Sequence, residues 1–421
     1  MRLRTTARKT ATISENTNSN NTSRNTSRNA SPVPKRRGPK RAEPAKTKKP
    51  KVKNIPNVPK NTVTGDVYVF GSGDCAQLGM GEDVLSLAKP QIHPFFADKN
   101  IIQVYSMGCN DDGALGHEEP EFSPGLVLGL EDQKVVNIAC GDSISAALTA
   151  DGKVFAWGTF RSSRGIFGFD EHTTIQKRAT QVLGLKNQFV KYIASGANHL
   201  IALTSDGKMW SWGCTEQGQL GRRLVARQEL QTLIPRTVTN SRSKLNSGYK
   251  TVVCGSYHTL TINEQGEVFG FGLNNYGQLG LGDEESRVTA EQIDPENFDG
   301  ETPIDLAAGE HHSIALTSSG HVFSFGRGDS GQLGLPEEPK HSPLPKKIPS
   351  LKNVEMISSG SNHCLAKTKS GEIYSWGYGE MLQLGNGKEE DEVVPFKLKF
   401  DGSKVLQIQG GGQHSMILVQ K

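Results

Sequence analysis

Five histidines recur at one spacing behind a glycine: Gly196 to His199, Gly255 to His258, Gly309 to His312, Gly360 to His363 and Gly411 to His414. Imidazoles ligate metals and move protons near neutral pH, so this set is the first candidate for chemistry. Its regularity argues otherwise. One histidine per repeat fits a structural part, each ring bonding neighbouring backbone at a tight loop. No C-x-x-C pair accompanies them, and the six cysteines sit mostly beside repeat glycines, where they read as reduced thiols. Neither a metal nor a cofactor is implied. Acidic pairs such as Glu284-Glu285 and Glu389-Glu390-Asp391 lie in polar loops and read as solvated, and no hydrolytic triad stands out. The Gly-rich strings lack Gly-x-x-x-x-Gly-Lys-Ser/Thr and end strands without opening helices, which argues against a phosphate cradle. Differences between repeats say more. After Trp157-Gly158 the usual loop gives way to Phe160-Arg161-Ser162-Ser163-Arg164-Gly165-Ile166-Phe167-Gly168, whose arginines beside apolar residues suit a contact that both displaces and grips.

The elements that position these residues are short strands. A turn glycine, an alternating apolar run ending in aromatic-Gly, and a loop closing on Gln-Leu-Gly recur, with copies of the phrase ending at Gly71, Gly108 (after Met107), Gly158, Gly213, Gly272, Gly326 and Gly377. Period-two alternation bounded by glycine means strands, and several strands in about fifty residues mean propeller blades. The sequence therefore predicts an all-β, seven-bladed β-propeller. Its first aromatic-Gly has no Gly-x-x-His before it and its last Gly-x-x-His, at Gly411, has no aromatic-Gly after it, as expected when strands from both termini close the ring and remove the sheet edge. In the third copy Ile144 stands where the histidine belongs. The interval from Gly71 to Gly108 is 37 residues against 50 to 59 elsewhere. That blade is expected to lack a strand or more, and to gape.

Charge divides the chain. Of its 48 Lys+Arg and 44 Asp+Glu, 16 cations and two anions precede residue 54, leaving 32 cations and 42 anions in the remainder. Residues 1–60 read as a disordered basic tail, too poor in apolar side chains to offset ordering entropy, and 61–421 as the propeller. Clusters at Lys35, Arg36, Arg37, Lys40, Arg41 and at Lys48, Lys49, Lys51, Lys53 fit a nuclear-localisation signal read by an import carrier, and also salt-sensitive binding to DNA. No apolar run reaches the roughly 18 residues of a membrane helix, so no membrane partner is expected.

Aromatic-Gly, Gln-Leu-Gly and Gly-x-x-His together resemble the repeat of the regulator of chromosome condensation family over about residues 60–420. The resemblance implies a nuclear, chromatin-associated guanine-nucleotide exchange factor for a Ran-type small GTPase, a function without covalent chemistry that supports nucleocytoplasmic transport and spindle and nuclear assembly. It further implies that Phe160 to Phe167 form the wedge hairpin, and that Asp142, Asn198, His311 and His414 line the GTPase-facing loops. Asn198 stands where the family often has aspartate. Glu171, after the wedge, and Arg222, after a Gln-Leu-Gly, are implied as further GTPase contacts. Arg223 and Arg227 lie where the family grips the acidic patch of the histone dimer on a nucleosome, although the residues alone fit a solvated basic loop equally well. A non-catalytic propeller scaffold, or a chromatin-binding protein without exchange activity, is the alternative, since the same repeat serves several roles.

Overall fold

The computed structural model describes residues 65–97, 99, 101–223, 229–238, 248–400 and 405–421. The chain divides into two units, 1–52 and 53–421, and the second is described below. The basic clusters from Lys35 to Lys53, and Arg227, lie outside the described residues.

Runs such as Val268–Gly272 and Ile373–Gly377 alternate large apolar with small or aromatic side chains, and each forms the third strand of an antiparallel four-stranded blade. The terminal glycine of such a run is required. At Gly158 the backbone sits at φ 98°, and a Cβ would strike the carbonyl of Ser143.

Five blades run in chain order. They begin at Val135–Cys140, Val190–Ser195, Tyr249–Cys254, Pro303–Ala308 and Val354–Ser359, each followed by its three partners. A sixth sheet takes strands from both ends of the body, in the order Ser86–Ile92, Gly65–Ser72, His414–Gln420, Val405–Gly410. In it the first strand pairs with the last from Gly65 opposite Gln420 to Gly71 opposite His414.

Seven blades follow from the seven copies of the repeat phrase, but among the described residues six four-stranded sheets form. The copy ending at Gly108 keeps only a two-stranded ladder, Tyr105–Ser106 with Gly125–Leu126. No further strands join this ladder among the described residues, and in the sequence Gln103 and Val104 run straight into Tyr105. Gly108 keeps the φ of its counterparts, 120°, yet the nearest atom to a Cβ there is 3.7 Å away, because no Gly-x-x-His loop lies against it. Its outer half stays docked on the next blade. Trp157 Nε1 and Ser145 Oγ donate to Ala114 O at 2.7 and 2.9 Å, over a small core of Val127, Leu130, Ala147, Trp157 and Ala179.

The main cores lie between blades. Ile144, Ala146 and Leu148 pack on Val190 and Ile193 of the following blade, and Ile314 and Leu316 pack on Val354 and Ile357 in the same way. The repeat histidines cross these interfaces. His199, His258 and His363 reach the hydroxyls of Thr259, Ser313 and Ser415 at 3.0, 2.8 and 2.8 Å, and His312 reaches Cys364 Sγ at 3.1 Å. Their partners are therefore side chains of the next blade rather than the neighbouring backbone expected from sequence. Each hydroxyl donates onward to a Gln-Leu-Gly carbonyl, as Ser313 Oγ does to Gln278 O at 2.8 Å, so it must accept from an Nε2–H. Where Ile144 replaces the histidine, Leu200 occupies the hydroxyl position, and both side chains are fully buried. Replacing both partners by apolar groups leaves no polar atom unpaired.

Candidate functional site

Strand pairing sets His199 opposite Gly213, His258 opposite Gly272, His312 opposite Gly326 and His363 opposite Gly377. The Gly-x-x-His loops and the segments behind the aromatic-Gly glycines therefore meet at one end of each blade. Backbone bonds join successive loops there: Asp142 N to Ala197 O, Ala197 N to Ser256 O, Ser256 N to Gly309 O, Glu310 N to Ser361 O and Ser361 N to Gly411 O. On this rim Asp142, Asn198, Tyr257, Glu310, His311 and Asn362 reach solvent, while Ser143 and Ala197 are buried, and Asp142 and Glu310 carry the charge. Crowding by the surrounding loops raises the Asp142 carboxyl above its ordinary value even though its side chain reaches solvent; the nearby Glu310 charge adds to this, and Arg161 opposes it. His311 stacks on Tyr257 at 5.7 Å between ring centroids, meets Tyr276 at 5.3 Å, and places Nε2 3.6 Å from Glu310 Oε1. Burial and the Arg327 guanidinium lower its pKa, against the pull of Glu310. Asn362 Nδ2 donates to the same Glu310 carboxylate at 3.2 Å.

The divergent loop is a hairpin, Phe160–Ser162 paired with Gly165–Gly168, rising from the rim beside Asp142. Phe160 is its fully buried root, while Arg161, Ser163, Arg164 and Ile166 are exposed. Three neighbours fix it. Asn198 Oδ1 accepts from Arg161 N at 2.8 Å, and Asp112 Oδ2 accepts from Arg161 Nη1 at 2.6 Å and from Ser143 Oγ at 2.7 Å. Glu216 accepts from Ser163 Oγ and Ser163 N at 2.6 and 2.9 Å. Burial works to raise the Asp112 carboxyl, but the bonds from Ser143 and Arg161 outweigh it and hold the group below its ordinary value, so it is a carboxylate at neutral pH. The bond from Ser163 likewise lowers Glu216. Asn198 thus serves as an amide acceptor for the hairpin backbone.

Asp142, Asn198, His311 and the hairpin come together on one rim; the other residues singled out from sequence do not. His414 corresponds in position to the interface histidines, and the rim position of its loop belongs to Gln413. Glu171 is exposed in the turn beyond the hairpin. Arg222 is a correction. Only 7% exposed, it donates to Ser211 Oγ, Ser211 O and Thr232 O, and burial with Arg236 nearby lowers its pKa to about 10. It ties one blade together, from Ser211 to Thr232. Arg223 is exposed beside it. Asp112, Glu216, Tyr257, Glu310 and Arg327 escape the sequence reading. Asp112 precedes Gly113 of an Ala-Leu-Gly loop and Tyr276 precedes Gly277 of a Gln-Leu-Gly loop, so their shared offset was the available signal.

Comparison with known proteins gives the family. A family model described as an RCC1-like domain matches residues 66–417. The mouse protein named Regulator of chromosome condensation is 36% identical over 92% of this chain and 98% of its own length. The Saccharomyces cerevisiae protein named Guanine nucleotide exchange factor SRM1 is 29% identical, over 83% of this chain and 86% of its own. Among solved structures, Prp20p of S. cerevisiae, described with its binding properties to Gsp1p and histones, superposes with a TM-score of 0.78 at 29% identity, covering 86% of this chain and 92% of that one. A second structure of the yeast protein, bound to Kap60, gives the same TM-score. With a family model over the whole propeller and a relative matched along nearly its full length, this chain belongs to the regulator of chromosome condensation family.

Proposed function

We propose that the protein is a guanine-nucleotide exchange factor for a Ran-type small GTPase and acts in the nucleus on chromatin. The observation that carries this reading is the hairpin from Phe160 to Phe167, pinned at three points beside a rim of acidic, imidazole and amide groups. A rigid, exposed element next to a polar face can be driven against a partner without losing order on contact. By gripping the nucleotide-free GTPase more tightly than the loaded one, the protein lowers that partner's affinity for nucleotide, and linkage makes the effect reciprocal. Free nucleotide then refills the site, and no covalent bond is made. The names of the yeast relatives, an exchange factor and a Gsp1p and histone binder, support the same reading. The tail, residues 1–60, serves nuclear import and DNA contact ahead of the propeller at 61–421, and the exposed Arg223 reaches the histone acidic patch together with Arg227.

The test is release of labelled GDP from purified Ran-type GTPase. Acceleration by the full chain, lost in an Arg161→Ala, Arg164→Ala double variant that still binds nucleosomes, is the expected result. The missing inner loop of the second repeat favours a second reading, a propeller that binds without exchanging. Unchanged GDP release at micromolar protein, with the GTPase still bound, decides for it.

A further inference from the structure

The second repeat has an outer half and no inner half, and the two neighbouring blades show what the space lacks. Strand Val135–Cys140 pairs with its own blade as the other inner strands do, with Ile138 opposite Ala147 just as Ile193 lies opposite Ala202. The residues in this register position elsewhere are Ile193, Val252, Leu306, Ile357 and Ile408, all between 0 and 7% exposed; Ile138 is 53% exposed. Across the opening, Met416 and Leu418 of the closing blade are only half-buried, while their counterparts Ile201 and Leu203 are fully buried. Polar groups are missing partners in the same pattern. His414 Nε2 has no hydrogen-bond partner among the described residues, although its four counterparts all reach one. Ser145, which holds the hydroxyl position, donates to Ala114 O but receives no imidazole. The chain of loop-to-loop backbone bonds that begins at Asp142 ends at Gly411, and strand Tyr105–Ser106 is paired on one edge only.

We propose that this breach is a docking site for a β-hairpin of a different polypeptide, not a second copy of this chain, one with two alternating apolar strands joined by a Gly-x-x-His turn and a hydroxyl residue directly after the histidine. The intact blades specify this occupant. Its second strand would extend the sheet from the free edge of Tyr105–Ser106, the main-chain pairing used in strand addition. Its imidazole would donate to Ser145 Oγ, its hydroxyl would accept from His414 Nε2, and its apolar faces would cover Ile138 on one side and Met416 and Leu418 on the other. The shortfall of about 17 residues in this repeat matches such a hairpin. Residues 1–64 of this chain do not supply it, because they contain no Gly-x-x-His and their last stretch carries Pro56 and Pro59.

A labelled synthetic peptide copying residues 249–263, which contains Gly255, His258 and Thr259, tests the site with the full chain by fluorescence anisotropy. Saturable binding and a raised thermal midpoint are expected. A scrambled peptide should not bind, and His258→Ala in the peptide should weaken binding several-fold. Ile138→Asp in the protein, a change at an exposed position whose folding is checked by circular dichroism, should weaken it by about ten-fold or more. No saturation up to about 1 mM peptide overturns the proposal, as does equal binding by the Ile138→Asp protein. A dimer that Ile138→Asp dissociates would also overturn it, by assigning the breach to a second copy.

Discussion

Strands Val135–Cys140 and Val190–Ser195 are built alike, with the same register and the same bulge after their first residue, yet one is half-solvated and the other sealed. The difference lies entirely in what faces them. Val190 and Ile193 find the preceding blade's Ile144, Ala146 and Leu148, whereas Ile138 finds the empty place of an absent pair of strands. A propeller blade therefore does not own its core; it borrows half of it from the blade before. Fully burying an isoleucine side chain contributes roughly 1.5–3 kcal/mol, and at the breach that contribution is forgone at Ile138 and reduced at Met416 and Leu418.

The sharpest way to break this comparison is to truncate both isoleucines. Ile193→Ala removes a side chain from a sealed interface and is expected to cost about 2–5 kcal/mol in urea unfolding, while Ile138→Ala should stay within about 0.5 kcal/mol. Equal losses would mean that the breach is filled in solution.

A second test separates the two halves of the damaged repeat. Its inner half is gone, but its outer loop presents Asp112, which holds both Ser143 and the Arg161 guanidinium. If that loop still positions the hairpin, Asp112→Ala should slow GDP release about ten- to a hundred-fold, some 1.4–2.7 kcal/mol of barrier, with binding of the GTPase less affected. Glu216→Ala removes the anchor at Ser163 and should cost less, because Arg161 stays held. Loss of GTPase affinity with an unchanged maximal rate would make Asp112 a simple binding contact.

Smaller still is the contrast between two histidines. His363→Gln breaks the bond to Ser415 inside a closed interface and should cost about 1 kcal/mol or somewhat more; His414→Gln breaks no such bond and should be near neutral in the same unfolding assay.

Much of this was legible in the chain. Glycine-bounded alternation revealed the strands, the mismatch of phrases at the two ends placed strands from both termini in one sheet, and the short interval before Gly108 located the defect. The count of blades was not, because aromatic-Gly marks a third strand and says nothing about whether the first two are present. Nor was the role of the histidines. Their partners lie 47 to 60 residues away in the next blade, and only the pairing of Ile144 with Leu200 hints at the coupling. Arg222 misled for a related reason: an arginine after Gln-Leu-Gly looks like a surface cation until the blade folds over it. The hairpin stood out because it departs from the repeat, and Asp142, Asn198 and His311 were singled out through the family resemblance; the structure places all of them on one rim.

The natural Ile144 and Leu200 pair supplies the gentlest test, which turns on pH. Burial lowers the pKa of His363 to about 3 and that of His414 to about 4, and in the sealed interfaces an added proton would sit on an Nδ1 that has no acceptor. In the unfolded chain histidine titrates near 6.5. Between about pH 3 and 6.5 the unfolded state therefore binds more protons, so stability is fully present above pH 6.5 and falls as the pH drops through that window. A His363→Leu, Ser415→Ala double variant, which makes both partners apolar as in the Ile144 and Leu200 pair, should change stability by less than about 1 kcal/mol at pH 7, since Gln383 O loses one donor at an otherwise packed site. Across the acid window it should instead reduce the pH slope by up to about 1.4 kcal/mol per unit, one proton's worth. An unchanged slope would place the acid sensitivity of the ring outside the histidine that crosses this interface.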